Sequence, residues 1–245
     1  ISISKKEINL IQNNSYKKLA KKIKKNDIIV FISAVAPVKS IDMLLQNLKI
    51  CSNVCKALEK KTISSLIYIS SDAVYSDTMK KINEFSSKSP TSLHGLMHLC
   101  RENILRQKFG NILSILRPTL IFGKNDPHNG YGPNSFYRLA IKNKNIKIFG
   151  KGEELRDHIS IDDVAELILK IIKINNPIEL NLVTGKIISF DFIAKKIIKL
   201  TKSKSKIIYV ERPGPMPHNG YRAFNNSNLK KIYKKRFNGL EALLN

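Results

Sequence analysis

Cysteine is scarce in this chain: Cys51, Cys55 and Cys100 are the whole supply. Three such residues make no paired disulfide framework, so a reducing cytoplasm is the expected compartment. Cys51 and Cys55 fall one helical turn apart in an apolar helix pattern and read as buried small hydrophobes rather than half of a metal site. Long apolar runs are missing as well. Lys, Asn or Asp interrupts every isoleucine-rich stretch before it reaches the ~18 residues that a spanning helix needs. Ile1 to Leu10 lacks the charged-then-apolar build of a signal peptide, so a soluble chain with no membrane partner is expected. Residue 1 is Ile rather than Met, and the chain reads as a piece whose start lies upstream.

Acidic residues are few. Asp and Glu number 19 against 43 Lys and Arg, for a formal net charge of +24. An excess of that size ordinarily points to nucleic acid or an anionic surface. Here, however, 35 of the cations are Lys, in company with 36 Ile and 23 Asn, a bias that an AT-rich codon supply spreads along any chain. The lysines are scattered through every segment, as at Lys21, Lys22, Lys24 and Lys25, without the Arg and aromatic interleaving of single-strand binders. They read as solvated faces, and no nucleic-acid partner is expected. What is present is ordinary globular material: 42% hydrophobic and 25% charged residues over 245 positions, enough for one large domain or two small ones.

Four short runs, at 27–33, 66–71, 112–117 and 180–183, are continuously apolar, as strands buried on both faces of a parallel sheet require. Helical patterns at 15–25, 41–60, 92–108 and 161–173 lie between them. The alternation predicts an α/β fold with a doubly wound parallel sheet. In such sheets ligands bind beyond the carboxyl ends of the strands, which directs attention to residues 34–39, 70–77 and 118–134. Residues 1–124 and 156–184 are expected to form this domain. The looser segments 125–155 and 185–245 are expected to form a small α+β lobe.

At the strand ends the sequence becomes specific. Ser70-Ser71-Asp72-Ala73-Val74-Tyr75 fits Ser-Ser/Thr-x-x-Val-Tyr, and Arg117-Pro118 followed by Ile121-Phe122-Gly123 fits Arg-Pro-x-x-Ile/Val-Tyr/Phe-Gly. Arg156 to Ala165, RDHISIDDVA, carries a third motif, and Asn47 stands in the helix after the 27–33 strand. Together these spaced motifs resemble the extended short-chain dehydrogenase/reductase family, the NAD-dependent sugar-nucleotide epimerases and dehydratases, over nearly the whole chain. The resemblance implies a Rossmann-like sheet with a substrate-binding lobe, and hydride exchange between NAD or NADP and a nucleotide-linked sugar. It further implies that Ser71 holds and polarises the substrate oxygen that is oxidised. Ser33, Ala34, Asn47, Ser70 and Pro118 would line the cofactor, and Arg156 would face the phosphates of the sugar nucleotide.

Two departures bound what carries over. The family's opening Gly-x-x-Gly-x-x-Gly loop, which binds the pyrophosphate through backbone amides, has no counterpart before Asp27. Ile1 to Leu10 instead resembles the third strand and the turn after the second helix, so the sheet is expected to lack its first strands, about 50 residues lying upstream. The second departure is chemical. Where the family has Tyr-x-x-x-Lys, this chain has His94-Gly95-Leu96-Met97-His98, followed by Glu102. In the family the Tyr phenolate removes the alcohol proton, while the Lys lowers the Tyr pKa and holds the nicotinamide ribose. A neutral imidazole can accept that proton near pH 7, so His94 is expected as the acid/base. His98 is expected beside it at the cofactor, Ser71 as the positioning hydroxyl and Asp72 as a further proton donor or acceptor. Asp72 stands where the family's dehydratases carry an acid, but Ala73 replaces the Glu that follows it in them. His94, His98 and Glu102 share one helix face, yet a metal needs neighbours from other segments and none is expected. The rival reading is a degenerate member that binds nucleotide or sugar without turnover.

One repeat points to the substrate. Pro127-His128-Asn129-Gly130-Tyr131 and Pro217-His218-Asn219-Gly220-Tyr221 are identical pentapeptides. Asn-Gly favours tight turns with positive φ, but a turn does not need His and Tyr beside it. His128, Asn129, Tyr131, His218 and Tyr221 are therefore expected to meet the sugar or base, with Asn134 nearby and Arg156 and Arg222 on a diphosphate. The helical patterns 41–60 and 92–108 are apolar enough either to pair in a homodimer or to be buried within the monomer.

Overall fold

The computed structural model describes residues 1–126 and 129–244. In chain order its elements are α1 (Ser15–Lys22), β1 (Ile28–Phe31), α2 (Ile41–Leu58), β2 (Ser65–Ile69), α3 (Leu93–Phe109), β3 (Leu113–Pro118), β4 (Leu120–Phe122), α4 (Pro133–Ala140) and β5 (Ile146–Phe149). They continue with β6 (Leu155–Ser160), α5 (Ile161–Ile174), β7 (Glu179–Leu182), β8 (Ile187–Ser189), α6 (Phe190–Thr201), β9 (Ile207–Val210), β10 (Tyr221–Arg222) and α7 (Ser227–Ile232). Every expected apolar run becomes a strand and every expected helical pattern a helix, giving the mixed α/β fold with parallel sheets. Residues 1–10 differ: they form turns and no strand. Ser4 and Glu7 close a local turn, the Ser4 amide donating to Glu7 Oε2 at 2.8 Å, which holds this stretch to its own side chains rather than to a neighbouring strand.

The chain divides into two compact units. Unit 1 comprises residues 1–76, 86–117 and 170–180. Its sheet runs in the order β1-β2-β3-β7, with β1–β2 and β2–β3 parallel. Strand β2 is buried along most of its length, as the apolar run Leu66-Ile67-Tyr68 requires. Helices α2 and α3 are set by serine caps, Ser40 Oγ accepting from Met43 N and Ser92 Oγ from Gly95 N. Ile50, Cys51, Val54, Cys55 and Leu58 of α2 join Phe31, Leu66, Tyr68 and Leu105 in one core.

Unit 2 comprises residues 77–85, 118–169 and 181–245. Strand β6 lies between β4 and β10, parallel to both, and pairs antiparallel with β8. A separate parallel pair joins β5 to β9. Helix α6 places Phe190, Ile193, Ala194 and Ile197 on one face, and these meet Phe136, Ile146 and Ile148 in the second core. Among the described residues no helix is long and apolar enough to cross a membrane.

Candidate active site

In unit 1 the chemistry collects at the carboxyl ends of β1 and β2. After β1, the side chains of Ser33 and Ala34 are exposed, on a loop held from behind by Asn47. The buried Asn47 amide accepts from Val35 N at 3.0 Å and donates to Val35 O and Met43 O at 2.8 Å each. Asn47 thus supports the loop rather than facing outward. After β2, Ser71 Oγ accepts from Ala73 N at 3.1 Å and starts the tight turn Asp72–Val74. Gly95 explains how this turn meets α3. A Cβ at that position would stand 2.1 Å from Ala73 O, so only glycine lets the helix reach the turn and bring His94 beside Asp72.

His94 is half-buried. Burial pushes its pKa below the ordinary 6.5, and the Asp72 carboxylate opposes that fall, leaving a neutral acceptor near pH 7. Its ring stands edge-on to that of His98, with centroids 4.8 Å apart. His98 is buried and its Nδ1 lies 2.8 Å from Tyr68 Oη. Burial, then the neighbouring His94 and Arg101, hold its pKa down to about 3. The rest of the expected helix face turns elsewhere. Glu102 accepts from Ser70 Oγ at 2.6 Å and takes the guanidinium of Arg117 at 2.8 and 2.7 Å. Arg117 in turn reaches Glu179 at 2.8 Å and donates to Tyr75 Oη at 3.1 Å. Ser70, buried, is therefore part of the polar tie between β2 and α3. Pro118 ends the fully buried β3.

Unit 2 holds the remaining candidates. Arg156 donates to Glu154 and to Pro217 O. Arg212, absent from the sequence reading, lies 3.1 Å from the same Glu154, so two guanidinium groups converge on one carboxylate. Asp77, also missed, accepts from His218 Nδ1, and Arg222 Nη1 lies 3.2 Å from Asp77 and 3.3 Å from His218 Nδ1. The second pentapeptide is the tight turn its Asn-Gly pair predicts, with φ of 51° at His218 and Asn219 and 77° at Gly220. His128 lies outside the described residues. Asn129 Oδ1 accepts from Arg138 at 3.2 Å. Tyr131 packs among Phe136, Phe149 and Phe190 at centroid distances of 5.2, 5.0 and 4.7 Å. Asn134 bonds within its own loop, to Gly123 N and Asp126 Oδ2, and Tyr221 pairs with Leu155 through β10.

A signal for Arg212, though not for Asp77, was present: in a chain with 35 Lys and 8 Arg, an Arg stands out as a place where a planar, forked donor serves and an ammonium does not. Arg101, Arg117, Arg156 and Arg222 are all buried.

Comparison with known proteins defines the family and the fold. The profile of the NAD dependent epimerase/dehydratase family matches residues 6–182, and the chain belongs to that family. A relative in Bacillus subtilis, named an uncharacterized UDP-glucose epimerase YtcB, is 26% identical over 152 residues, 57% of this chain and 47% of the relative. The human dTDP-D-glucose 4,6-dehydratase is 24% identical over 202 residues, 78% of this chain and 57% of that protein. The chain thus spans about half the length of the curated relatives it matches. Among solved structures, UDP-glucuronic acid 4-epimerase from Bacillus cereus, in complex with UDP-glucuronic acid and NAD, superposes with a TM-score of 0.82 at 17% identity, covering 97% of this chain and 78% of that one.

The cofactor of that family can be tested against the residues present. The exposed Ser33 and Ala34, braced by Asn47, and the half-buried His94 suit the ribose and nicotinamide half. For the pyrophosphate half, no glycine precedes Gly95 in these 245 residues, so no glycine-rich turn is on hand.

Proposed function

We propose that the chain takes part in NAD(P)-dependent epimerisation, dehydration or reduction of a nucleotide-linked sugar, with His94 as the acid/base. The observation that carries this reading is the half-buried, neutral His94 beside Asp72, brought to the Ser71 turn by the glycine at 95. When bound, NAD(P) supplies a hydride acceptor. Ser71 orients the substrate hydroxyl, His94 takes its proton, and Asp72 stabilises the imidazolium that results. Ser33, Ala34, Asn47, His98, Ser70 and Pro118 are the proposed cofactor side, directly or as support. In unit 2, Arg156, Arg212 and Arg222 are proposed for a diphosphate, with Tyr131, Asn134, His218 and Tyr221 for sugar or base. Ile41 and Leu45 of α2 and Leu96 of α3 are exposed, and we assign them to a homodimer face.

The test is His94→Phe, assayed with NAD(P) and a panel of UDP- and dTDP-sugars. Turnover should fall at least 100-fold, the range of a lost general base, with sugar-nucleotide affinity unchanged. Unchanged turnover would remove His94 from the mechanism. A chain that binds these ligands without any turnover in either form would establish the degenerate, binding-only reading, which the uncharged His98 in place of a lysine favours.

A further inference from the structure

Three side chains of unit 1 surround His98, and none is a carboxylate. Tyr68 on β2 is fully buried; its hydroxyl lies 2.8 Å from His98 Nδ1 and also takes a hydrogen bond from Arg101, which can only donate, so among the described residues Nδ1 is the acceptor open to the hydroxyl hydrogen. A buried hydroxyl hydrogen with a single acceptor must be directed at it or be left unpaired at a cost of about 1–3 kcal/mol. Tyr68 therefore donates and Nδ1 accepts. Once Nδ1 is an acceptor, a neutral imidazole carries its proton on Nε2.

Arg101, one turn further along α3, makes the charge argument. Its guanidinium is fully buried, yet all of its bonds go to neutral acceptors. Nε and Nη2 donate to Asn47 O at 3.1 and 2.7 Å, Nη2 also to Asn47 Oδ1 at 3.0 Å, and Nη1 to Ser33 O at 2.9 Å. Its remaining face lies over the Phe31 ring, 5.1 Å from the centroid. An uncompensated buried cation repels a second one nearby. Besides Tyr68 and Arg101, the titratable neighbour acting on His98 is His94, which also disfavours a charge there. Burial keeps the Tyr68 phenol protonated against the opposing pull of Arg101, with smaller help from Cys51 of α2 and Glu102 of α3.

We propose that Tyr68 and Arg101 are positioning residues that fix His98 as an uncharged imidazole with its proton on Nε2, so that His94 is the one imidazole of the pair that exchanges protons. The proposal rests on the reading of His94 as acid/base and deepens it. The fixed positive charge of this site sits on Arg101, bonded to the Ser33 carbonyl at the end of β1, and His98 contributes a neutral N–H donor suited to a hydroxyl.

Nitrogen-15 spectra of the histidine rings, recorded on the 245-residue chain between pH 8 and 5, test this without any turnover. His98 is assigned by the loss of its signals in His98→Gln. The expected result is a protonated Nε2 and an unprotonated Nδ1 throughout, while the His94 signals move with pH. In Tyr68→Phe the fixed tautomer should give way to an exchanging mixture, and Arg101→Lys should retain it. A proton on Nδ1, or His98 signals that titrate with a midpoint near 6.5, would overturn the proposal. Because the readout is spectroscopic, loss of the His94 assignment in the turnover assay would leave this result standing, and the reverse.

Discussion

At the scale of single residues, the candidate site depends on one position that carries no chemistry. Gly95 lies between the two histidines, and its missing side chain is what allows Ala73 O to approach. Gly95→Ala must push the 72–74 turn away from α3, and forcing extra atoms into a packed contact costs about 1–3 kcal/mol. A lowered urea midpoint is expected, together with loss of the Asp72 influence on His94, seen as a lower His94 pKa in the nitrogen-15 titration. An unchanged midpoint and titration would show that the turn has room to move. His158, in unit 2, makes a second residue-scale case. It is buried edge-on against Phe190, with centroids 5.7 Å apart. Burial brings its pKa down to about 4 from 6.5, a hydrogen bond with the Arg156 backbone opposing the fall and the Arg156 charge adding to it. Above pH 6.5 it is neutral in both folded and unfolded chains and contributes no pH dependence. As pH falls from 6.5 toward 4 the unfolded chain takes up a proton that the folded one refuses, and stability is lost, by about 3 kcal/mol at most. His98 extends the same loss to about pH 3. In His158→Phe, denaturant midpoints measured from pH 7 to 4 should decline less steeply; an identical slope would mean that His158 is solvated.

At the scale of elements, Glu102 and Arg117 tie α3 to β3, Ser70 adds β2, and Glu179 adds the start of β7. Both partners of the pair are fully buried. Removing Glu102 leaves the buried Arg117 with only the part-exposed Glu179 to offset its charge, for which a loss of up to about 3–5 kcal/mol is expected, whereas replacing both by apolar groups costs far less. Glu102→Leu should therefore destabilise more than the double variant Glu102→Leu, Arg117→Met in equilibrium unfolding. Equal or greater loss in the double variant would mean that the pair contributes net stability. The strands and helices around this tie were legible because apolar runs and helical spacings report burial directly. Its polar wiring was not: Arg117 and Glu102 lie in recognisable motifs, but a motif does not say that the two face each other. Helix α6 was legible in principle, since Phe190, Ile193, Ala194 and Ile197 keep helical spacing, and the surrounding Gly, Pro and Asn residues obscured it. Residues 1–10 were misread because strand-like composition forms a strand only where a neighbour accepts its hydrogen bonds. Of the candidate site, the grouping of Ser71, Asp72 and His94 was legible from motif spacing. Tyr68 and Arg101 were not, because each is defined by a partner on another element.

At the scale of the whole molecule, charge is the dominant sequence feature, and it bears first on stability. With 43 basic and 19 acidic residues, most lysines have no acidic partner available. The exposed pairs that do form, such as Lys108 with Glu59 and Lys195 with Asp191, are solvent-screened and contribute little each. Salt weakens those pairs and also screens the repulsion among the excess cations, and the two effects have opposite signs. A surplus of +24 makes repulsion the larger. At ~0.02 M ionic strength charges about 20 Å apart still interact, whereas at 1 M the reach is about 3 Å. The thermal midpoint should thus rise as sodium chloride is raised over this range, and any association with a mixed-sequence DNA duplex at low salt should vanish on the way, as pure counterion exchange demands. A midpoint that falls with salt would show that specific ion pairs, rather than net repulsion, govern this surface. Binding that persists at high salt would reinstate the nucleic-acid partner that the scattered lysines argue against.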